Sequence, residues 1–385
     1  MWKVKLILLF AASLTVLSNA VIAPALPSIA RAYPEASDVA IKLLVTLPAL
    51  AIALLAPVSG VMADALGRKR LLLGSVVVFV LAGGAGLVLD GVPALLVSRF
   101  ALGVGVAGVM TASTTLVGDY FRGPQREAFM GLQSACMAFG GLVFVSAGGA
   151  LAGLGWRYPF AVYLAALPLL FVAAAVLREP DRGAADAAAP AGDDDARGSP
   201  ATVALIFGLG LVGMAMFYLV PVQVPFLVVE DFGGNELTGG LAIGACTCTS
   251  GVIGLRYRAL AARLGPWGMA AATYLLIALG YAAVWRSPSL PWLLAALAFT
   301  GLGMGLIMPN VNVWLLAVAP ERLRGRLVGG LTAAIFLGQF LSPVLTQPVI
   351  DRTDRVTAFG VVAAVASVIA LALTGPACRH RPSRR

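Results

Sequence analysis

Apolar residues run through this chain in long blocks, and the polar residues gather between the blocks instead of alternating with them. Blocks of about 20–28 residues suit helices that cross a 30 Å hydrocarbon core with some tilt. Twelve such spans are predicted. The first six are 5–30, 38–63, 71–89, 93–118, 127–152 and 159–177. The second six are 202–228, 237–257, 267–285, 291–317, 327–349 and 357–375. Most connections are short, which favours antiparallel neighbours. The expected fold class is all-α and integral to a membrane, with twelve transmembrane helices in two pseudo-symmetric six-helix bundles.

One connection breaks the pattern. The segment 178–200 is rich in Ala, Gly, Pro and Asp and includes Asp193-Asp194-Asp195. It cannot bury a core and reads as a flexible cytoplasmic linker. It divides the chain into an N-terminal six-helix half, 1–177, and a C-terminal half, 201–385, that ends in a short basic tail. The halves repeat at an offset of 198. Pro27 maps to Pro225, Gly67 to Gly265, Gly103 to Gly301, Gly105 to Gly303, Arg126 to Arg324, Gly131 to Gly329 and Gly140 to Gly338.

Composition agrees with a bilayer as the solvent. The chain is 60% hydrophobic and 12% charged, about half the charge of a soluble domain. The net charge of +9 would suit nucleic acid, but its placement does not. Of the 27 Lys and Arg residues, 20 lie at the termini and in alternate loops, six lie in the remaining loops, Lys42 among them, and Arg99 lies inside a helix. Basic residues mark the cytoplasmic side. Both termini are therefore expected in the cytoplasm, which requires an even number of spans.

Lys3 and Lys5 followed by an apolar run mimic a secretory signal, but the run continues through Ala30, too long for a signal core. An uncleaved first helix is expected. Cys246 and Cys248 are two apart on a helix and point about 200° apart, so they do not form an easy metal pair. The only histidine is His380, in the tail. No catalytic constellation, metal site or cofactor is expected. None of the four lysines follows a glycine, so no phosphate loop for ATP is present.

The sharpest local motif is Gly60-Val-Met-Ala-Asp64-Ala-Leu-Gly67-Arg68-Lys69-Arg70, between helices 2 and 3. It resembles the major facilitator loop signature G-x-x-x-D-R/K-x-G-R-R/K, with Ala65 where the family usually has a base. Arg99-Phe-Ala-Leu-Gly103-Val-Gly105 is similar to the family's R-x-x-x-G-x-G pattern, with Leu102 where Gln is common. Gly140 and Gly148-Gly149 resemble the antiporter signature of helix 5, with Phe144-Val145 in place of its central Gly-Pro. The stretch from Gly301 through Pro309-Asn310, Pro320-Glu321, Arg324, Gly338-Gln339 and Ser342-Pro343 resembles bacterial drug- and metabolite-efflux members of this superfamily. The resemblance covers essentially the whole chain. It implies a secondary-active transporter that exports small organic compounds by alternating access, with protons as coupling ion, acting as a monomer. An importer or facilitator of a neutral or anionic metabolite, and a non-transporting membrane sensor, remain alternatives.

Polar side chains in lipid should face the bundle interior. Thr15, Ser18 and Asn19 share a face of helix 1; Thr332, Gln339, Ser342 and Thr346 share one of helix 11. Helix 7 offers Tyr218 and Gln223, and helix 10 offers Asn310 and Trp314. The candidate substrate residues are Asn19, Tyr218, Gln223, Asn310, Trp314 and Gln339; interhelical hydrogen bonding is the competing role. Aromatic surface with a few amides suits an apolar or neutral-polar solute. No Asp or Glu lies deep in a predicted helix. Arg99 is read as the only intramembrane charge, and it modulates proton movement, binds an anion or braces helix 4. Asp64, Gly67, Arg68, Arg99 and Asp119 are the gating or coupling candidates. Asp64 is expected to face a helix N-terminus and to join Arg68 and Asp119 in a charge cluster that holds the halves together at the cytoplasmic gate.

Overall fold

The computed structural model describes residues 2–121, 123–179 and 199–379. Among the described residues there is no strand. The chain divides into two compact units, Met1–Asp193 and Asp194–Arg385. Most of the predicted linker, residues 180–198, lies outside the described residues, as does the tail from His380 onward.

Unit 1 holds α1 (Trp2–Ala32), α2 (Asp38–Leu66), α3 (Arg68–Leu87), α4 (Val92–Tyr120), α5 (Pro124–Ala152) and α6 (Tyr158–Val176). Unit 2 holds α7 (Pro200–Asp231), then α8 (236–264) and α9 (266–285) as two limbs of the bent run Glu236–Trp285. It continues with α10 (Leu290–Val318), α11 (Arg324–Ile350) and α12 (Arg355–Arg379). Twelve helices are thus present among the described residues. A backbone in lipid must satisfy its hydrogen bonds internally, which is why the apolar blocks wind into helices.

Where the helices depart from the predicted spans, a local cause is visible. α1 is interrupted at its prolines. Its first stretch ends at Ala20, a 3₁₀ turn covers Ala23–Ala25, and the helix resumes over Leu26–Ala32. Pro24 and Pro27 lack the N–H groups that a continuous α-helix would use. α6 begins as 3₁₀ helix over Tyr158–Ala166, flanked by Pro159 and Pro168. α7 ends in a π-turn, Leu227–Asp231, after Pro221 and Pro225. The loop expected at 258–266 is helix as far as residue 264, because Tyr257–Leu264 carries only helix-tolerant residues. The chain turns at Gly265, with φ 65° and ψ 177°.

The repeat survives in the packing of each unit. Gly67, the equivalent of Gly265, also turns its chain with positive φ, 96°. In unit 1 a Cβ on Gly103 would lie 2.4 Å from the Pro48 carbonyl oxygen; in unit 2 one on Gly301 would lie 2.3 Å from that of Cys246. Pro48 and Cys246 are themselves 198 apart. The α2–α4 contact of one unit is the α8–α10 contact of the other, residue for residue, and both need a glycine for the backbones to touch.

Candidate functional site

In unit 1 the turn at Gly67 joins α2 to α3. The Gly67 N–H donates to the Ala63 carbonyl at 3.2 Å and closes α2. The next two N–H groups, of Arg68 and Lys69, donate to the Glu179 carboxylate at 2.6 and 3.0 Å. A carboxylate there satisfies orphan donors and meets the positive end of the helix dipole. Lys69 Nζ donates to the Ala174 carbonyl at 2.8 Å, and Tyr120 Oη donates to the Arg178 carbonyl at 2.8 Å. Arg68 Nε lies 3.7 Å from Asp119 Oδ2. The Gly67 ends of α3, α4 and α6 are thereby clasped together.

Arg68 and Asp119 meet as the charge-cluster expectation requires. Asp64 does not join them: it is exposed, and no ion pair includes it among the described residues. Glu179 serves the helix N-terminus, and the sequence reading missed it because it follows the last apolar residue of α6, where a charge looks like linker.

Arg99 is fully buried. Its Nη2 donates to the carbonyls of Ala82 and Gly83 at 2.8 and 2.9 Å, near the C-terminal end of α3 where such carbonyls are unspent. Its guanidinium lies 5.0 Å from the Phe160 ring centre and 5.1 Å from that of Tyr163. Tyr163 Oη in turn donates to the Ser18 carbonyl at 2.8 Å, reaching α1. Of the roles open to Arg99, these contacts are those of a brace joining α3, α4 and α6.

Arg99 is not the only buried cation, which corrects the sequence reading. Lys42, counted there among loop charges, sits one turn into α2 with its side chain 0% exposed, 3.6 Å from the half-exposed Asp38 carboxylate. Its i, i+4 spacing from Asp38 is the sequence signal for this pair.

The uncharged candidates divide into engaged and unengaged groups. In unit 1 Asn19 is half-buried at the break in α1. Thr15 and Ser18 donate to carbonyls of their own helix, as Thr332 and Thr346 do in unit 2. In unit 2 Asn310 is spent on the α8–α9 corner. Its Oδ1 accepts from Tyr257 Oη at 3.3 Å, and its Nδ2 donates to the Pro266 carbonyl at 3.4 Å. Trp314 is buried against Trp267 at the same corner, ring centres 4.7 Å apart. Tyr218 is buried beside Phe217. By contrast Gln223 on α7 is 0% exposed with both amide atoms unpartnered. On α11, Gln339 Oε1 and Ser342 Oγ, three residues apart, are also buried without partners.

At the opposite end of α7 from its Ser199 cap, Arg355 pairs with Glu230 at 2.7 Å and Asp231 at 3.5 Å, 5.4 Å from the Phe226 ring centre. This tie of α12 to α7 was also absent from the sequence reading.

The sequence profile described as the Major Facilitator Superfamily matches residues 8–343 and 205–383. The uncharacterised MFS-type transporter EfpA of Mycobacterium tuberculosis is 30% identical over 125 residues, 32% of this chain and only 24% of that protein. The class G tetracycline resistance protein of Vibrio anguillarum is 27% identical over 364 residues, 88% of each chain. Among solved structures, a bacterial homologue of the human lysosomal transporter Spinster, inward-facing and occupied, matches with a TM-score of 0.78 at 18% identity. That match covers 99% of this chain and 98% of the other; at that identity it speaks for the fold alone.

Proposed function

From the premise that the chain belongs to the Major Facilitator Superfamily, we propose that it exports small, uncharged organic compounds across the bacterial inner membrane by alternating access, coupled to protons. It is a multi-pass membrane protein and a transporter by family. One observation carries the choice of solute. Gln223, Gln339 and Ser342 hold buried polar atoms without partners, while no Asp or Glu is buried among the described residues. An unpaired amide in an apolar surround costs about 1–3 kcal/mol until something bonds to it. A solute with its own donors and acceptors recovers that cost; an organic cation finds no counter-charge. Within unit 2, Tyr218 and Trp314 add aromatic surface, and Asn310 ties α10 to the α8–α9 corner; within unit 1, Asn19 is the candidate polar contact.

The turn at Gly67, the Arg68–Asp119 pair and the exposed Asp64 form the proposed cytoplasmic gate, with Arg99 bracing the helices behind it. Export is supported by similarity to a tetracycline resistance protein, and proton coupling by family resemblance. The basic clusters support cytoplasmic termini.

The test uses purified protein in proteoliposomes and a panel of neutral, cationic and anionic compounds, with and without an imposed pH gradient. Neutral compounds should move down a pH gradient of the right sign. Gln223→Ala and Gln339→Ala should each weaken their binding by about 1–3 kcal/mol. Transport confined to cations or anions, or binding without flux, would reject this reading.

A further inference from the structure

The two units bury different kinds of polar group. Among the described residues unit 2 buries only uncharged ones, including Gln223, Asn310, Gln339 and Ser342. Among the described residues unit 1 buries two cations, Arg99 and Lys42, and its candidate amide, Asn19, is only half-buried. The repeat puts Leu297 at the position equivalent to Arg99 and Gly240 at the position equivalent to Lys42. Neither cation is part of the shared framework, so each serves something that unit 1 does alone.

Arg99 is held by two carbonyls and two rings, and a guanidinium does not give up its proton. Lys42 differs. An ammonium can exchange its proton, and burial is the usual device by which proteins recruit lysine for proton chemistry. A lysine near the end of a membrane helix normally extends its head group to water; Lys42 does not, its side chain being 0% exposed. Its partner Asp38, 56% exposed, does reach water. One turn deeper, Thr46 is fully buried and its Oγ1 has no partner. Asp38, Lys42 and Thr46 stand at i, i+4 and i+8, on one face of α2. That face runs from a carboxylate in water, through a buried ammonium, to a buried hydroxyl. A helix-stabilising surface pair would leave both charges wet.

Among the described residues, Asp119 is the one acid on the helices packed against α2, and Glu35 and Asp90 stand in the connections beside it. α2 is packed by α4, α3 and both limbs of α1. On α4 the guanidinium of Arg99 is turned to α3 and α6, and Asp119 lies at the Gly67 end with Arg68. The Lys69 and Arg70 charges of α3 share that end. α1 brings Arg31, whose guanidinium donates to the Pro27 carbonyl and Ser28 Oγ. After it comes Tyr33, whose hydroxyl accepts from the Gly91 N–H.

We propose that Lys42 is the group that takes up and releases the coupling proton, with Asp38 as its relay to water. The proposal rests on the proton-coupled reading above. In one half-cycle the Lys42 ammonium gives a proton to water on one side of the membrane and becomes a neutral amine, to which Thr46 Oγ1 can donate. In the other half-cycle the Asp38 carboxylate accepts a proton from water on the opposite side and passes it to Nζ, restoring the ion pair. One proton crosses and no electrons move.

The experiment needs no solute. Single cysteines at Thr332 or Thr346 on α11 replace the four native ones. Each is labelled with an impermeant maleimide in phosphatidylethanolamine–phosphatidylglycerol vesicles from about pH 5.5 to about pH 8.5, the interval over which one linked proton can change an equilibrium by up to tenfold per unit. The ratio of the two rates cancels the thiol's own pH dependence and reports which face is open. The parent ratio should change with pH. In Lys42→Gln and Lys42→Arg it should be flat, and in Asp38→Asn the change should persist with a displaced midpoint. A flat parent, or a Lys42→Gln ratio that follows the parent, overturns the proposal. Should Lys42→Gln fail to fold, Lys42→Arg decides: flat supports, parent-like overturns. Because no solute is present, an error in the substrate reading leaves this outcome untouched and shows only in the panel experiment.

Discussion

Arg99 shows what a buried charge accepts in place of a counter-ion. Its two carbonyl acceptors carry the negative end of a helix dipole, and its two aromatic faces add quadrupole attraction. The fork of the guanidinium is what reaches both carbonyls at once; an ammonium is a point charge and stacks poorly. Arg99→Lys should therefore cost about 1.5–3 kcal/mol, read as a lower melting temperature in detergent. If Lys there melts with the parent, the carbonyl seat contributes little. The sequence located this arginine but left its role open among three. The deciding partners come from α3 and α6, 16 and 17 residues upstream and about 60 downstream, and no local pattern records such contacts. Lys42 was missed for a related reason: hydropathy gives a lysine one value whether its head is wet or dry.

Elements were more legible than side chains. Spans of apolar residues are dictated by bilayer thickness, so the helices fall where the blocks predict. Their ends and interruptions depend on finer chemistry. The break in α1 falls at Pro24 and Pro27, whose missing N–H groups give way to a 3₁₀ turn over Ala23–Ala25. The α8 extension was missed because arginines in a basic connection were read as loop, although Arg is a good helix former. α12 offers an end that can be tested. Asp354 accepts from the Thr357 N–H and Oγ1, each at 2.7 Å. The Thr357 hydroxyl first, and its N–H second, hold the Asp354 carboxyl below the usual carboxylate range. The sign follows directly: a carboxyl depressed in the fold stabilises at neutral pH, and that stabilisation is lost as acid protonates it. Amide exchange in the first turn of α12 should be slow at neutral pH and speed up below about pH 4 relative to a remote helix. Asp354→Ala should exchange fast throughout, the cap being worth about 0.5–2 kcal/mol. Identical exchange in parent and variant would remove the cap from the account.

At the scale of the molecule, the offset of 198 is more than a similarity of letters. It predicts which backbones touch. Gly103 against Pro48 and Gly301 against Cys246 are the same contact built twice. Gly103→Val and Gly301→Val should each destabilise by about 1–3 kcal/mol or more through overpacking. Gly118→Ala, with no neighbouring atom within 4 Å of the added carbon, should not. Equal tolerance at all three positions, measured by thermal unfolding, would mean that the helices part easily. The division of burial between units, amides in one and cations in the other, was not legible at this scale. It depends on which of many polar residues find partners, and that is a property of packing.

The seat of Arg99 also bears on the order in which the chain is made. Exposed to lipid, an arginine costs about 2.5–3.5 kcal/mol to insert at the centre of a lone helix and less toward its ends; Arg99 is within the first third of α4. The carbonyls of Ala82 and Gly83 belong to the helix made just before, so they are in place when α4 leaves the ribosome. The rings of Phe160 and Tyr163 arrive two helices later. Between those moments α4 is held only by α3, and the hairpin they form is the smallest piece of nascent chain that can carry this charge into the bilayer. Synthesis that pauses after α3 leaves those two acceptors waiting; synthesis that pauses after α4 leaves an arginine half-covered.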